Sequence, residues 1–352
     1  MKKISSYLFS FFTVFAAFFP IGTATYLISP LGIKVRLTTF QWFLILASFM
    51  MLLSKLMSYG NYRVILITFF LYFGFIWLLP LFKVFKIYNL NYKLIYFFYF
   101  LVFLVLLEGV LVNSIVSPTS LLNYPDVDGM IGQTHINTNG YQRPYSFGAN
   151  TTVTSTILIV LASMITLGSF GWIALLFSII ILQSATGMLL FITLISVKLF
   201  FSIKSNVVRF FSFIIILSLP ILIFKYLDYI NARLNSDYVF VLIDFKLNQI
   251  YGYFHGYTPL EYIFGRISNL DSSQMGSYGY KGDFGWIEVF LGYGFAGFMI
   301  IISFMLTYIN RENIIPMMLL IIGTLHYGVI HTIVGQFTLL LVFFYNQKNI
   351  NH

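Results

Sequence analysis

The chain has 352 residues, of which 59% are hydrophobic and only 9% are charged. Soluble domains carry about 25% charged residues, so this composition excludes a water-soluble fold. The formal net charge is +9 and no cysteine is present. Disulfides, cysteine nucleophiles and cysteine metal sites are therefore excluded. The positive charge is better explained by basic residues near the ends of membrane spans than by nucleic-acid binding.

Long apolar runs follow one another along the chain. A helix needs about 20 apolar residues to cross the roughly 30 Å hydrocarbon core, and backbone groups in lipid must be bonded internally. We therefore predict an all-α polytopic membrane protein with about 11–12 transmembrane helices and a single membrane domain over residues 1–352. Breaks at Gln183–Gly187 and near Gly328 predict pairs of short helices. The predicted spans are 7–28, 39–57, 63–82, 94–116, 151–168, 170–183, 186–203, 207–230, 283–308, 314–329 and 331–346.

Two polar stretches, residues 117–150 and 231–282, interrupt the apolar runs. An even number of predicted spans lies between them, so both stretches would lie on the same side of the membrane. The other side carries most Lys and Arg residues of the short loops, and such an excess marks the cytoplasmic side. Both long loops are therefore predicted to be extracytoplasmic. A hairpin break at Pro20–Gly22 would place both chain termini inside.

The first long loop ends in Gly140–Asn150, directly before a predicted span. Arg143 is the only Lys or Arg between residues 94 and 197. A guanidinium is planar and permanently charged, so Arg143 is a candidate phosphate ligand. The alternative is that Arg143 caps a helix end or binds a lipid headgroup. Asn150 is the predicted N-cap of the following span.

The second long loop begins with residues 233–249, where apolar positions at helical spacing predict an amphipathic helix on the membrane surface. The remainder, residues 251–282, is rich in Gly and Tyr. This composition favours either a sugar-binding surface or an aromatic belt at the membrane interface. Several cationic donors accompany it: Arg266, Lys281 and His255.

Ionisable residues also occur in and beside the spans. Asp283 and Glu288 open one span, and carboxylates at a membrane boundary usually have a partner or a function. Glu108 is expected to be neutral or paired across helices. His326 and His331 are expected to be hydrogen-bonded packing residues. No nucleotide-binding glycine motif, zinc motif or Asp-rich cluster is present in the sequence, so no cofactor or metal is predicted.

Two segments give the chain a resemblance to the O-antigen polymerase and ligase family of bacterial envelopes. Arg143–Asn150 is similar to the family's Arg-x-x-Gly-x-Phe-x-Asn-Pro-Asn stretch, with the glycine displaced and the proline missing. Tyr262–Arg266 and Asp283–Gly297 resemble its Phe-Gly turn and the later span that ends in Tyr-Gly-(Ile/Phe)-x-Gly. Gln183–Gly187 occupies the place of a Ser-Arg-(Ser/Thr)-Gly break, without the arginine.

The resemblance implies a GT-C-like fold and a metal-independent glycosyltransferase in the bacterial cytoplasmic (inner) membrane. Such an enzyme would polymerise undecaprenyl-pyrophosphate-linked oligosaccharide repeat units for O-antigen, capsule or exopolysaccharide. Family ligases have a histidine where this chain has Asp283, which favours a polymerase. Expected partners are the lipid-linked oligosaccharide, membrane lipids and a chain-length regulator, but no nucleic acid. The alternatives are a polysaccharide flippase or transporter, and an O-antigen ligase.

Transfer from a pyrophosphate carrier builds negative charge on the leaving group, which requires positioned cations. We therefore expect Arg143 and Arg266 to be catalytic as pyrophosphate ligands. Asp283 is the expected catalytic base or acceptor-orienting carboxylate, with a helix N-cap as its alternative. The remaining predicted site residues are expected to bind substrate: Arg233, His255, Tyr280, Lys281 and Glu288.

Overall fold

The computed structural model describes residues 37–84, 90–114, 143–144, 146–148, 150–202, 244, 247–248, 250–270 and 285–343. Within these ranges every regular element is helical. The predicted spans 7–28 and 207–230 lie outside the described residues, and the predicted surface helix 233–249 lies largely outside them.

The α-helices of the described part follow the predicted spans closely. They are α1 Thr39–Ser58, α2 Tyr62–Val84, α3 Leu90–Ser114, α4 Thr151–Met164, α5 Ser169–Leu182, α6 Ala185–Ser202, α7 Pro259–Phe264, α8 Gly285–Leu306, α9 Ile314–His326 and α10 Ile333–Phe343. Short 3₁₀ helices occupy Ser146–Gly148, Ile267–Leu270 and Val329–His331. Of these α-helices, α7 alone falls on no predicted span. The prediction of a helical membrane protein is confirmed.

Four described helices are long and apolar enough to cross a membrane: α1, the part Tyr62–Leu79 of α2, the part Leu94–Asn113 of α3, and α8. The other apolar helices are shorter. The 14 residues of α4, for example, extend only about 21 Å, against a hydrocarbon core of roughly 30 Å. The predicted total of about 11–12 spans and the outward position of the long loops stay predictions.

Residue contacts divide the chain into two compact units. The first unit contains residues 1–95 and 249–352, and the second contains residues 96–248. In the first unit, α2 packs against α1, α8 and α10. In the second, α4 packs against α5 and α6, and almost all of its residues are buried. Its first two turns bury threonine and serine side chains, and the turns that follow are mostly apolar.

Local sequence signals explain several helix boundaries. Thr38 and Gln41 form a reciprocal capping box at the start of α1. At the end of α5, Gln183 adopts a left-handed conformation with φ 47°. Ser184 then caps α6, because its Oγ accepts a hydrogen bond from Gly187 N at 3.0 Å. The predicted break at Gln183–Gly187 is therefore confirmed.

Candidate functional site

Helix α8 is broken at Gly294, where φ is 63° and ψ is −167°. Phe298, beyond the break, stacks on Phe290 with ring centroids 4.5 Å apart. It also meets Trp286 edge-on, at 5.6 Å. Positions eight residues apart in a straight helix are separated by about 12 Å along its axis. The two parts of α8 are therefore bent towards one another. The predicted span 283–308 is present as the apolar helix Gly285–Leu306, and the bend lies within it.

The turn Phe264–Arg266 packs against this bend. Gly265 has a φ of 73°, and a Cβ at Gly265 would overlap the backbone of Gly292 and Tyr293. A Cβ at Gly294 would in turn overlap the backbone of Ile263. Arg266 N also donates a hydrogen bond to Leu291 O at 2.7 Å. Glycine is required on both sides because two backbones approach closely here.

Lys55, in the last turn of α1, holds the same turn from the other side. Its side chain is buried, and Nζ donates to Phe264 O at 2.6 Å and to Gly265 O at 2.7 Å. A buried ammonium requires such acceptors, since desolvating an unpaired charge is costly. In the sequence, Lys55 lies near the end of the predicted span 39–57, and nothing there indicated this contact. The only signal was one lysine near the end of an apolar helix.

Arg266 lies beside the turn and is already ion-paired within the same segment. Its Nε and Nη2 donate to the two carboxylate oxygens of Glu261 at 2.6 and 2.7 Å. Nη2 also donates to Gly256 O at 2.8 Å, and the guanidinium lies 4.9 Å from the centre of the Tyr257 ring. The hydrogen bonds from Arg266 lower the pKa of Glu261 to about 2.

Tyr257 connects this ion pair to the bend. Its hydroxyl donates to Leu291 O at 3.0 Å and accepts from Asn269 Nδ2 at 2.9 Å. Burial raises the pKa of Tyr257 to about 12, so the hydroxyl stays protonated at physiological pH. These bonds make residues 253–270 an ordered element that packs on α8.

A second group of polar residues lies on the other side of the bend, between α2, α8 and the 3₁₀ helix Val329–His331. Tyr72 OH donates to Glu288 Oε2 at 3.0 Å. The His331 ring meets Tyr72 edge-on at 4.7 Å and Trp286 edge-on at 5.8 Å. Tyr72, Trp286 and His331 are buried. Among the described residues, neither ring nitrogen of His331 has a hydrogen-bond partner, which corrects the expectation of a hydrogen-bonded histidine.

Backbone contacts bring helix ends to this polar group. A Cβ at Gly285, the first residue of α8, would overlap Thr324 O and the backbone of Gly328. Gln336 in α10 donates from Nε2 to Phe70 O and Leu71 O, both at 2.8 Å. The start of α8, the end of α9 and the start of α10 thus meet beside Tyr72.

The other predicted site residues have varied positions. Arg143 belongs to the second unit and is half-buried, just before the buried turn Ser146–Gly148. His255 is exposed on the segment before α7, with its ring centroid 6.0 Å from that of Tyr251. The side chain of His326 is outside the described part. So are four predicted site residues: Arg233, Tyr280, Lys281 and Asp283.

The second unit contains buried polar groups of its own. Asn150 caps α4 as predicted, with Oδ1 accepting from Thr152 N at 2.7 Å and from Val153 N at 3.4 Å. Glu108 is buried in α3, and Lys198 lies 4.9 Å from the Trp172 ring centre. Within the ranges that the structure describes, no group of three or more His, Asp or Glu residues could hold a metal ion. Metal independence stays a prediction.

Comparison with known proteins gives no relative for this chain. No family model matches the sequence, and neither a curated protein nor a solved structure matches it.

Proposed function

We propose that this chain is a glycosyltransferase that polymerises lipid-linked oligosaccharide repeat units at the bacterial cytoplasmic membrane. The observation that carries the proposal is the packing of the turn Phe264–Arg266 against the bend at Gly294. The Phe-Gly turn and the Tyr-Gly stretch of α8, which are two parts of the second family-like segment, pack directly against each other. That contact supports the interpretation of both as parts of one functional element rather than as chance matches.

The proposed reaction transfers a glycan from undecaprenyl pyrophosphate to a hydroxyl of a second lipid-linked unit. The glycosidic carbon–oxygen bond to pyrophosphate breaks as the acceptor oxygen bonds to the same carbon. Arg143 and Arg266 are the proposed pyrophosphate ligands, and Asp283 is the proposed acceptor of the hydroxyl proton. Arg266 is already ion-paired with Glu261, so pyrophosphate would bind it as part of that pair.

The test is chain extension by the purified protein in nanodiscs supplied with lipid-linked repeat units from a deletion strain. We expect a ladder of products that forms in excess EDTA. Arg143→Ala should abolish it, and Arg143→Lys should restore it poorly because lysine lacks the bidentate fork. Asp283→Asn should slow it by about 10²-fold or more if Asp283 is the base. Full activity of Arg143→Ala would reject the assigned role, and absence of any ladder from wild-type protein would reject the polymerase.

A lipid-linked saccharide transporter is the second candidate, and a specific feature favours it. Helix breaks at Gly294 and at Gly328 accompany the Glu288 carboxylate in the first unit. Discontinuous helices beside buried charged groups are typical of transporters. Movement of a labelled lipid-linked oligosaccharide across protein-containing vesicles, without any change in glycan length, would support transport and contradict the polymerase.

A further inference from the structure

We infer that Glu288, Tyr72 and His331 form a binding site for a sugar hydroxyl, and that this site takes the saccharide acceptor. The inference rests on the proposed function for the identity of the ligand. It adds two residues, Tyr72 and His331, to which the sequence assigned no ligand-binding role.

The site lies deep within the first unit. Tyr72 is near the middle of the 23-residue helix α2, about 15 Å along the axis from its start. Glu288 bonds to Tyr72 at 3.0 Å, and His331 contacts the Tyr72 ring. Glu288 and His331 therefore lie beside the middle of a helix that is long and apolar enough to cross a membrane. An ionisable group within a membrane span is costly and usually has a function.

His331 provides the independent observation that a ligand binds here. The side chain is only 5% exposed, and within the described residues neither of its nitrogens is hydrogen-bonded. Buried polar atoms without partners cost free energy, so they are normally satisfied by protein, water or ligand. His331 is held between the aromatic edges of Tyr72 and Trp286, which fix the ring without using its nitrogens.

The hydrogen-bonding capacities of Glu288 and His331 favour a hydroxyl group as the ligand. A hydroxyl donates one hydrogen bond and accepts another, a carboxylate accepts, and an imidazole N–H donates. Glu288 and His331 can therefore bind the two sides of one hydroxyl group. The negative charge of Glu288 makes the binding of an anionic ligand unfavourable. In the part of the chain that the structure describes, too few His, Asp and Glu residues converge to hold a metal ion.

The surroundings suit a sugar. Trp286 and Tyr72 supply flat apolar surfaces beside the polar atoms, a combination that saccharide sites use. Glu288 is half-buried, so the carboxylate is reachable from outside the cluster. Tyr72 orients that carboxylate through its hydrogen bond.

The absence of native cysteine makes a direct test possible. His331→Cys and Leu340→Cys would be treated in nanodiscs with hydroxyethyl methanethiosulfonate, a small neutral hydroxyl-bearing reagent. Leu340 is the matched control because it lies nearby in α10 and is fully buried. We expect the thiol at 331 to react at least about tenfold faster, since a thiol reacts as its thiolate and an apolar site suppresses ionisation.

Ligand binding is tested by protection. A synthetic undecaprenyl-pyrophosphate-linked disaccharide should slow labelling at 331, and undecaprenyl pyrophosphate without sugar should not. Adding Glu288→Gln should weaken protection by about tenfold, since a charged acceptor bonds more strongly than an amide. No faster labelling at 331 than at 340, or labelling that the saccharide does not slow, would overturn the inference.

Should His331→Cys not fold, the native chain gives the same answer. Diethyl pyrocarbonate acylates accessible neutral imidazoles, and mass spectrometry locates the product. We expect the saccharide carrier to protect His331 and not the exposed His255; equal reaction of His331 with and without saccharide would overturn the site. Protection without chain extension in the wild type would keep the site and reject the polymerase.

Discussion

Buried polar side chains are bonded differently in the two units. In the first unit, Lys55 reaches the carbonyls of Phe264 and Gly265, and Gln336 reaches those of Phe70 and Leu71. In the second, Lys198 makes longer bonds to the carbonyls of Ala162 and Ile165, and buried hydroxyls mostly bond within their own helix. Ser155 donates to Thr152 O, and Ser178 donates to Ala174 O.

The difference shows how each unit is held together. A hydroxyl bonded to its own helix satisfies a buried polar group but connects no second element. Small residues also bring helices of the second unit together: a Cβ at Gly187 of α6 would overlap Ser155 of α4, which is the close helix contact common in membranes. The first unit contains broken helices, and its long side chains bond carbonyls of other segments: Lys55 bonds the turn on the bend, and Gln336 bonds α2.

The strongest way to disturb this arrangement is to fill the contact at the bend. Gly294→Ala forces a side chain into a backbone with φ 63° and against the backbone of Ile263. We expect a loss of roughly 3 kcal/mol or more in the free energy of unfolding, since strain and overlap combine. The measurement is thermal unfolding in detergent.

Substitutions at two other glycines distinguish backbone strain from steric overlap as causes of that loss. Gly256 also has a positive φ, of 74°, but a Cβ there would meet nothing within 4 Å. Gly256→Ala should therefore cost only the conformational strain, about 1–2 kcal/mol. Gly60 has neither feature, so Gly60→Ala should change little. A cost for Gly294→Ala no greater than that for Gly256→Ala would show that the turn does not rest on the bend.

Lysine replacement compares the units directly. Lys55→Met removes the donor of two hydrogen bonds, one of them buried, and should cost about 2–3 kcal/mol, as for hydrogen bonds to charged groups. Lys198 in the second unit makes longer bonds, 3.2 Å to Ala162 O and 3.5 Å to Ile165 O. Lys198→Met should cost roughly 1 kcal/mol or less. Equal losses in thermal unfolding would mean that Lys55 holds the turn no more firmly than Lys198 holds its helix.

Helix capping gives a smaller effect in the second unit. Asn150→Ala removes the acceptor for Thr152 N and Val153 N and should cost about 1 kcal/mol. Asn150→Asp keeps a capping oxygen and should be nearly neutral by the same unfolding measurement. An equal loss in both variants would indicate that Asn150 acts through something other than the cap.

The ion pair of the first unit predicts the smallest effect, with a defined pH dependence. The pKa of Glu261 is lowered from 4.5 to about 2 by Arg266. Its stabilising contribution is therefore complete above pH 4.5 and is lost as pH falls towards 2. Both side chains are partly exposed, at 34% and 26%, so we expect less than about 1 kcal/mol.

Glu261→Gln should remove that pH dependence. Wild type and variant should differ most at pH 6 and converge near pH 2.5, when compared by thermal unfolding. Glu312→Gln, which changes a carboxylate outside the pair, is the control. A constant difference over this range would mean that the ion pair contributes nothing to stability.

Much of the helix pattern could be predicted from the sequence, but little of the candidate site could. The helix-breaking residues Gln183 and Ser184 and the cap Asn150 were predictable because their effects depend on neighbours within four residues. Glu288 was correctly suspected to have a partner, since it is a carboxylate in an apolar run. That partner, Tyr72, lies 216 residues away, and no local pattern points to it.

Large separations along the chain also explain why the bend in α8 and the ion pair of Arg266 were not predicted. The span 283–308 has the hydropathy of one helix, and Gly294 within it is one of several glycines. Only the structure shows that the chain bends there, through the φ of 63° at Gly294 and the stacking of Phe298 on Phe290. Arg266 is a loop cation in sequence, and its ion pair with Glu261 depends on the short helix α7, which was not predicted.

The sequence alone determined that this protein is helical, that it belongs in a membrane, and where most of its helices begin and end. Those properties follow from hydropathy and from hydrogen bonds between near neighbours, and both can be read along the chain. The tertiary structure decided the bend at Gly294, the position of Lys55 and the grouping of Tyr72, Glu288 and His331. These arise from contacts between distant segments, whose partners are selected by packing rather than by local preference.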